Sequence, residues 1–211
     1  TGPSTPSTPD LSSDSDTGSS DSDNITSDTR LTFTGTAEAE STVEVFSRIL
    51  GTPYSLGTTT TDSDGNWSYT HSRLFSVGNH LILANATDAS GNVSSYSENL
   101  RITIDASAPS APSIPDLSSD SDTGSSSSDD ITSSTTPTFT GTAETDSTVE
   151  IFSDGSSLGT TTTDSDGNWS FTSGTFDAGT YSITATATDA AGNTSDESDE
   201  LNLTIDTIGP S

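Results

Sequence analysis

The segment LTFTGTAEAESTVEVFS, residues Leu31–Ser47, contains runs in which apolar and polar residues alternate. The same pattern returns as PTFTGTAETDSTVEIFS at Pro137–Ser153, an offset of 137 − 31 = 106 residues. Alternation with a period of two, with one apolar and one Ser/Thr-rich face, is typical of half-buried antiparallel strands. The sequence therefore predicts a β-structure that is built twice.

Further segments repeat in the same order. PDLSSDSDTGSSDSDNIT (Pro9–Thr26) returns at Pro115–Thr132 with the same offset, whereas LGTTTTDSDGNWSY (Leu56–Tyr69) returns at Leu158–Phe171 with an offset of 158 − 56 = 102. Hairpin loops of different length would explain the change of offset, which falls around residues 48–55. We therefore predict two homologous domains.

The domains are predicted to span residues 1–108 and 109–211. Between them the chain becomes rich in proline, with Pro109, Pro112 and Pro115. Each proline fixes φ and favours an extended residue before it. We expect this joint to be a short, stiff spacer.

Each domain is predicted to be all-β, an immunoglobulin-like β-sandwich of about seven strands, and the two sandwiches are expected to be joined end to end. Turn signals separate short alternating runs, and the absence of cysteine excludes the disulfide that antibody domains carry. In the first domain the strands A to G are placed at Ser7–Leu11, Leu31–Ala37, Thr42–Ser47, Leu56–Asp62, Asn66–Thr70, His80–Thr87 and Leu100–Ile104. The predicted core comprises Phe33, Val43, Val45, Trp67, Tyr69, Phe75, Ile82, Ala84, Leu100, Ile102 and Ile104, with Trp67 and Trp169 as core anchors rather than sugar-stacking residues.

The charge of the chain limits its functions. The formal net charge is −28, only 26% of the residues are hydrophobic, and all four cationic residues lie in the first domain. Such a surface repels nucleic acid and anionic membranes, so we expect neither as a partner. An enzyme is not expected, because the two histidines occur only in the first domain and no nucleophile motif is present. A thin core combined with strong charge repulsion predicts that a cation stabilises the fold.

The predicted topology brings acidic residues together at the two ends of each sandwich. The loop between strands A and B and the end of strand G lie at one end, and the turns B–C and F–G lie at the other. Stacked domains would then bring acids of the first against acids of the second. Oxygen ligands of this kind suit Ca²⁺, and no imidazole or thiolate cluster suits zinc. The predicted metal ligands are Asp14, Asp16, Asp23, Asn24, Asp105, Glu38 and Asp88 in the first domain, and Asp120, Asp122, Asp129, Asp206, Glu144, Asp189 and Asn193 in the second.

Each group of acids has an alternative interpretation. The A–B loop could be a solvated loop, Glu38 and Glu144 could be exposed turn residues, and Asp88 and Asp189 could form Asx-turns. The sequence Asp64-Gly65 and its copy Asp166-Gly167 are interpreted as type I′ hairpin turns.

Both domains resemble the bacterial immunoglobulin-like repeats found in tandem in giant, type I-secreted surface adhesins of the repeats-in-toxin class. The matching segments are PDLSSDSDTGSSDSDNIT, TFTGTAE, STVEVF, LGTTTTDSDGNWS, ATDASGN and TID-x-x-AP. The resemblance implies a calcium-rigidified extender segment of a stalk that projects a distal ligand-binding module from the bacterial surface in adhesion and biofilm formation. It implies an extracellular, monomeric rod whose partners are neighbouring repeats of the same chain. The alternative is a glycan- or surface-binding module. The first domain departs from the pattern at Arg48–Tyr54, a longer loop that could be a local contact site or mere sequence drift.

Overall fold

The computed structural model describes residues 2–124 and 126–209, the side chain of residue 49 excepted. The predicted outer domain limits at Thr1 and Ser211 lie outside the described residues. The chain divides into two compact units between Ser107 and Ala108. The first contains β1 (Asp10–Leu11), β2 (Ile25–Thr26), β3 (Thr32–Thr36), β4 (Thr42–Ile49), β5 (Thr52–Thr60), β6 (Asn66–Thr70), β7 (Gly78–Thr87) and β8 (Leu100–Ile104). The second contains β9 (Asp116–Leu117), β10 (Ile131–Thr132), β11 (Thr138–Thr142), β12 (Thr148–Ser153), β13 (Ser156–Thr162), β14 (Asn168–Thr172), β15 (Gly179–Thr188) and β16 (Leu201–Ile205).

Each unit is a two-sheet sandwich, as predicted. In the first unit β1, β3 and β6 form an antiparallel sheet, and the second sheet has the order β2-β8-β7-β4-β5. Only β2 and β8 pair in parallel within these sheets. The second unit repeats this arrangement with β9–β11–β14 and β10-β16-β15-β12-β13. The chain crosses from one sheet to the other between β1 and β2, so the single predicted strand A is in fact followed by a second short strand.

Strand D, predicted at Leu56–Asp62, corresponds to β5, which begins and ends earlier, at Thr52–Thr60. β5 pairs with β4 and lies at the edge of the five-stranded sheet. Leu50 and Gly51 connect the two strands with φ of 48° and 85°, the two positive values that a type I′ hairpin needs. The corresponding Asp154 and Gly155 have 49° and 75°. A two-residue turn of this kind places the next strand beside the preceding one in the same sheet.

The interpretation of Asp64-Gly65 as a type I′ hairpin turn was wrong. Only Gly65 has a positive φ, 82°, and its N–H donates to the carbonyl of Asp62 at 3.1 Å. This turn joins β5 to β6, which belong to different sheets. A Cβ at Gly65 would lie in contact with the carbonyl oxygen of Ala37, so glycine is required here for space as well as for φ.

The core follows the predicted alternation. The inward residues of the first unit form one cluster that contains every predicted core residue, although Tyr69 and Phe75 are only partly buried, and Leu11 and Leu31 belong to it as well. Trp67 and Trp169 are each 3% exposed, so neither can stack on a sugar. Each indole lies across a glycine of the paired strand, Gly35 or Gly141, and leaves no room for a Cβ there. Burying this apolar surface is the main stabilising contribution to each unit.

The proline-rich segment is not a free spacer over its whole length. Pro109, Pro112 and Pro115 are buried, as are Pro3, Pro6 and Pro9 in the first unit. Ser113 donates its N–H to the carbonyl of Thr142 at 2.9 Å, and its hydroxyl accepts the N–H of Thr142 at 2.9 Å. The segment from Ala108 onward therefore belongs to the second unit. No helix in the described part of the chain has the length and apolarity of a membrane span.

Candidate calcium-binding loops

The β1–β2 loop, residues 12–24, is fixed by buried hydrogen bonds rather than being a loose acidic segment. The hydroxyl of Thr26 donates to the carbonyl of Ser15 at 2.7 Å, and the hydroxyl of Ser15 accepts the N–H of Thr32 at 3.0 Å. At its end the loop joins strand β8, because Asn24 accepts the N–H of Thr103 through its carbonyl at 2.9 Å. The loop thus connects the two sheets at one end of the unit.

Asp16 lies at the centre of this loop. Asp16 as a whole is 4% exposed, and its Oδ2 accepts the backbone N–H of Asn24 at 3.2 Å. Oδ1 of Asp16 and Oδ1 of Asn24 are both buried and have no hydrogen-bond partner among the described residues. Asn24 adopts φ of 61°, a left-handed conformation that asparagine tolerates better than most residues. Buried oxygens without donors are costly, and an ion is one of the explanations such groups call for.

The electrostatics of Asp16 are those of an anion without a counter-charge. Burial raises the pKa of its carboxyl above the ordinary value, although the N–H bond from Asn24 acts in the opposite direction. The negative charges of Asp23, Asp10 and Asp21 raise this pKa further. Three carboxylates therefore lie close enough to repel that of Asp16, and a cation beside Asp16 would relieve both its burial and this repulsion.

The β9–β10 loop, residues 118–130, repeats the arrangement. Asp122 is 7% exposed, and its Oδ1 is buried without a partner among the described residues. Asp130, at the position of Asn24, has φ of 58° and a pKa raised by burial and by the charges of Asp116, Asp122 and Asp129. Ser127 takes the position of Asp21. Both loops therefore contain four acids, because Ser127 replaces Asp21 and Asp130 replaces Asn24.

The other predicted ligands at this end lie around the loops without completing a coordination shell. Asp14 and Asp120 are exposed. Asp23 and Asp129 accept the N–H of the residue two positions later, at 2.9 and 3.3 Å. Asp105 and Asp206 do the same at 3.0 and 2.9 Å. The N–H groups of Asp105 and Asp206 also bond the carbonyls of Thr26 and Thr132 at 2.9 and 2.8 Å, so both aspartates lie beside the end of a loop, as the topology predicted.

The remaining predicted ligands lie at the opposite end of each unit. Glu38 and Glu144 are exposed at the β3–β4 and β11–β12 turns. Asp88 forms an Asx-turn, because its Oδ1 accepts the N–H groups of Ser90 and Asn92 at 2.8 and 2.9 Å and its Oδ2 accepts the Asn92 amide at 2.7 Å. Asp189 holds Asn193 in the same way. Their hydrogen bonds fit the alternative interpretation better, and their ligation of calcium stays a prediction.

Sequence reasoning missed Asp10 and Asp116 as members of the acidic groups. Both were assigned to strand A, whereas they lie at its start with exposed side chains. Their position directly after Pro9 and Pro115, in both copies of the repeat, was the available signal. Within residues 2–124 and 126–209, no group of three or more His, Cys, Asp or Glu side chains is arranged as a ready-made metal site. The oxygens present nevertheless fit Ca²⁺, which prefers carboxylate and amide oxygens.

The two-sheet topology and the paired loops define tandem immunoglobulin-like domains. The family model described as the bacterial Ig-like domain matches residues 3–106 and 108–207, and the chain belongs to this family. It is a structural module and not an enzyme. No curated protein matches the chain.

Several solved structures are similar to the chain. It is 24% identical to a structure described as a Ca²⁺-stabilized adhesin that helps an Antarctic bacterium reach out and bind ice, over 98% of this chain and 51% of that one, with a TM-score of 0.44. A tetra-tandem repeat from the extending region of a large adhesion protein is 23% identical over 94% of this chain and 49% of that one, with a TM-score of 0.34. The FN1–FN3 domains of chicken CNTN1 are 12% identical over 95% and 67%, with a TM-score of 0.51, which shows the shared fold. The chain spans about half the length of the two adhesin structures.

Proposed function

We propose that the chain is a pair of extender domains from the stalk of a bacterial surface adhesin, and that Ca²⁺ bound at the β1–β2 and β9–β10 loops stabilises them. The observation that carries the calcium proposal is that the two acidic loops contain three buried oxygens without partners among the described residues, Oδ1 of Asp16, Asn24 and Asp122. They lie on loops that each hold four acids, and their donor chemistry is that of a calcium site.

The residues that would hold the ion are Asp16 and Asn24 with Asp10 and Asp23 in the first unit. In the second unit the corresponding residues are Asp116, Asp122, Asp129 and Asp130. Bound Ca²⁺ supplies positive charge to a cluster of repelling carboxylates. Because each loop joins one sheet to the other, neutralising it stabilises the connection between the sheets and the pairing of β2 with β8.

The size of the effect follows from mass action. A site saturated about 100-fold above its Kd contributes about 2.7 kcal/mol to the free energy of unfolding. A domain of this size typically has a total of about 5–15 kcal/mol, so one site in each unit would change its stability decisively.

The extender role rests on the tandem arrangement, on membership of the family, and on the segments that match adhesin repeats. It places the protein outside the cell, where millimolar Ca²⁺ suits the weak sites typical of extracellular modules. The proposal also includes ions that neighbouring repeats share, with Asp105 among the ligands.

The test is thermal and urea unfolding of the whole chain in excess Ca²⁺ and in excess chelator, for the wild type and two variants. Asp16→Asn removes the buried charge, and Asp14→Asn is the matched control because Asp14 is exposed in the same loop. We expect the wild type and Asp14→Asn to gain several degrees in Ca²⁺, and Asp16→Asn to lose most of the gain that belongs to the first unit. Equal melting of the wild type in both solutions would overturn the calcium proposal and leave the extender assignment standing.

A further inference from the structure

The outward face of the five-stranded sheet in the first unit carries a row of residues unlike the rest of the chain. Ile82 of β7 and Leu100 and Ile102 of β8 point into the core. Their neighbours along the strands, Leu81 and Arg101, therefore face outward. Leu81 pairs with Arg101 across β7 and β8. Arg48 is one residue beyond the Ser47–Ile82 pair of the antiparallel β4–β7 ladder, which puts it beside Leu81. The sheet therefore presents Arg48, Leu81 and Arg101 in this order, which we call the Arg–Leu–Arg row.

The neighbouring row is aromatic and apolar. Phe46 pairs with Leu83 on the same outward face, and neither belongs to the core cluster between the sheets. Tyr96 packs edge-on against Phe46, with ring centroids 5.2 Å apart and an interplanar angle of 88°. Phe46 and Leu83 are buried, but Tyr96 is 44% exposed. A partly exposed tyrosine ring thus packs on the row that neighbours the Arg–Leu–Arg row.

One of the arginines has an unused donor. Nε of Arg48 is buried, and no described residue accepts a hydrogen bond from it. A buried N–H without an acceptor is rare in native structures and calls for an explanation such as an absent ligand or water. A carboxylate is the acceptor that a guanidinium group prefers.

The second unit serves as an internal comparison, because the same positions there have lost these properties. The β12–β13 hairpin is shorter, so its turn residue Asp154 takes the ladder position of Arg48 opposite Ser182, the counterpart of Leu81. Asn202 replaces Arg101, and Glu197 replaces Tyr96. Asp154 uses its Oδ1 to accept the N–H of Ser182 at 3.0 Å. An extender role common to both units therefore does not require the Arg–Leu–Arg row.

From this juxtaposition we infer that the Arg–Leu–Arg row with Tyr96 binds an acidic polysaccharide that carries carboxylates on alternate sugars. Arg48 and Arg101 lie two strand spacings apart, which separates their backbones by about 10 Å. Two carboxylates spaced along an extended sugar chain would pair with the two guanidinium groups. The sugar between them would lie over Leu81 and against the exposed ring of Tyr96.

The size and charge of the face favour this occupant over a protein or a nucleic acid. The two rows cover roughly 200 Å², from strand spacings of about 4.8 Å and the rise along a strand, whereas a stable protein interface needs about 800 Å² from each partner. Nucleic acid, with a charge every ~1.7 Å of duplex, would bring many phosphates against a chain of net charge −28. A sparsely charged polysaccharide avoids that repulsion, because the Debye length at physiological salt is only about 8 Å.

The test measures binding of a hyaluronan octasaccharide to the whole chain at fixed Ca²⁺ and 0.15 M salt, with an uncharged N-acetylglucosamine oligosaccharide of the same length for comparison. The variant Arg48→Asn/Arg101→Asn removes both guanidinium groups of the row. Arg30→Asn/Arg73→Asn is the control with the same change in net charge, and both of its arginines are exposed elsewhere in the unit. Tyr96→Ala tests the ring, and circular dichroism checks that every variant is folded.

We expect the wild type to bind the acidic oligosaccharide and not the neutral one, and the row variant to bind about tenfold more weakly. The control should change less than twofold, and Tyr96→Ala should weaken binding without removing its salt dependence. The inference is overturned if the wild type does not bind, binds both sugars alike, or loses as much affinity in the control as in the row variant. Sedimentation that shows a dimer dissociating in the row variant would identify a second copy as the occupant and would equally overturn it. None of these outcomes bears on the calcium proposal, since Ca²⁺ is constant throughout.

Discussion

Replacing Gly35 by alanine should destabilise the first unit, because the added methyl group has no free space. A Cβ built at Gly35 lies 2.6 and 2.8 Å from two atoms of the Trp67 indole and 2.9 Å from the hydroxyl of Ser7. Trp67 is 3% exposed and is packed in the core, so it cannot rotate away into solvent. Overpacking of this kind costs about 1–3 kcal/mol. For a domain of about 100 residues each kcal/mol corresponds to about 4–8 °C in Tm.

The chain allows this prediction to be measured one unit at a time. It has two tryptophans, one in each unit, so the fluorescence of Trp67 in a Trp169→Phe background reports on the first unit alone. The matched control is Gly174→Ala, since nothing lies within 4 Å of a Cβ at Gly174 and its φ is not positive. We expect Gly35→Ala to lower the Tm of the first unit by about 5–20 °C, and Gly174→Ala to leave the Trp67 signal unchanged. A melting curve of Gly35→Ala that overlays the parent curve would refute the close packing of the indole on β3.

Three further outcomes are expected. In chelator, the contribution of Asp16 and Asp130 to the free energy of unfolding should rise as the pH falls, because their raised pKa values let the folded state bind protons before the unfolded state does. Urea titrations of the wild type against Asp16→Asn/Asp130→Asn, with and without Ca²⁺, should show this rise only without it. A difference between the two proteins that does not change with pH in chelator would contradict the buried charges. The contribution of His71 to the stability of the first unit should be fully present above pH 6.5 and be lost as the pH falls through the lowered pKa of His71, which burial and the charge of Arg73 depress. His71→Ser should remove that loss from the Trp67 signal. An unchanged acid response would exclude His71 as its source. Leu50→Asn should stabilise the β4–β5 hairpin by about 1 kcal/mol, because Leu50 is fully exposed with φ of 48° and asparagine tolerates this conformation better; equal or lower Tm would show that the turn is not strained.

The sequence predicted the parts of the fold that depend on a local period. Val43 and Val45 were placed in the core because alternation within a strand assigns each side chain to one face, and both are fully buried. Which sheet a strand joins is not encoded in that period. The sheet that β5 joins could not be predicted for this reason, because a Thr-rich edge strand has the same alternation in either sheet. Leu50-Gly51, the turn that decides it, lacks the Asn or Asp that usually identifies a type I′ hairpin.

The candidate site was predicted in part, for a similar reason. Asp16 was identified because acids recur at fixed spacing in both copies of the repeat. Its neighbour Asp10 was missed, because the approach of β1 to the loop depends on the crossing between sheets. Asp88 has the same residue type and the same recurrence as Asp16, yet its carboxylate is occupied by N–H donors from its own turn. Composition alone does not distinguish a carboxylate that needs a cation from one that caps a turn.

The parallel pairing of β2 with β8 has a mechanical consequence. β2 is close to the start of the first unit and β8 is its last strand, and Asn24 and Thr26 accept the N–H groups of Thr103 and Asp105. When the chain is pulled from both ends and β1 has detached, tension runs along β2 and β8 in opposite directions. Those hydrogen bonds then lie across the direction of the force and are sheared together, whereas a hairpin pulled at its open end would lose its bonds one at a time. The short β2 strand is therefore loaded in shear, and hydrogen bonds from Asn24 to Asp16 and from Thr26 to Ser15 attach it to the acidic loop that precedes it.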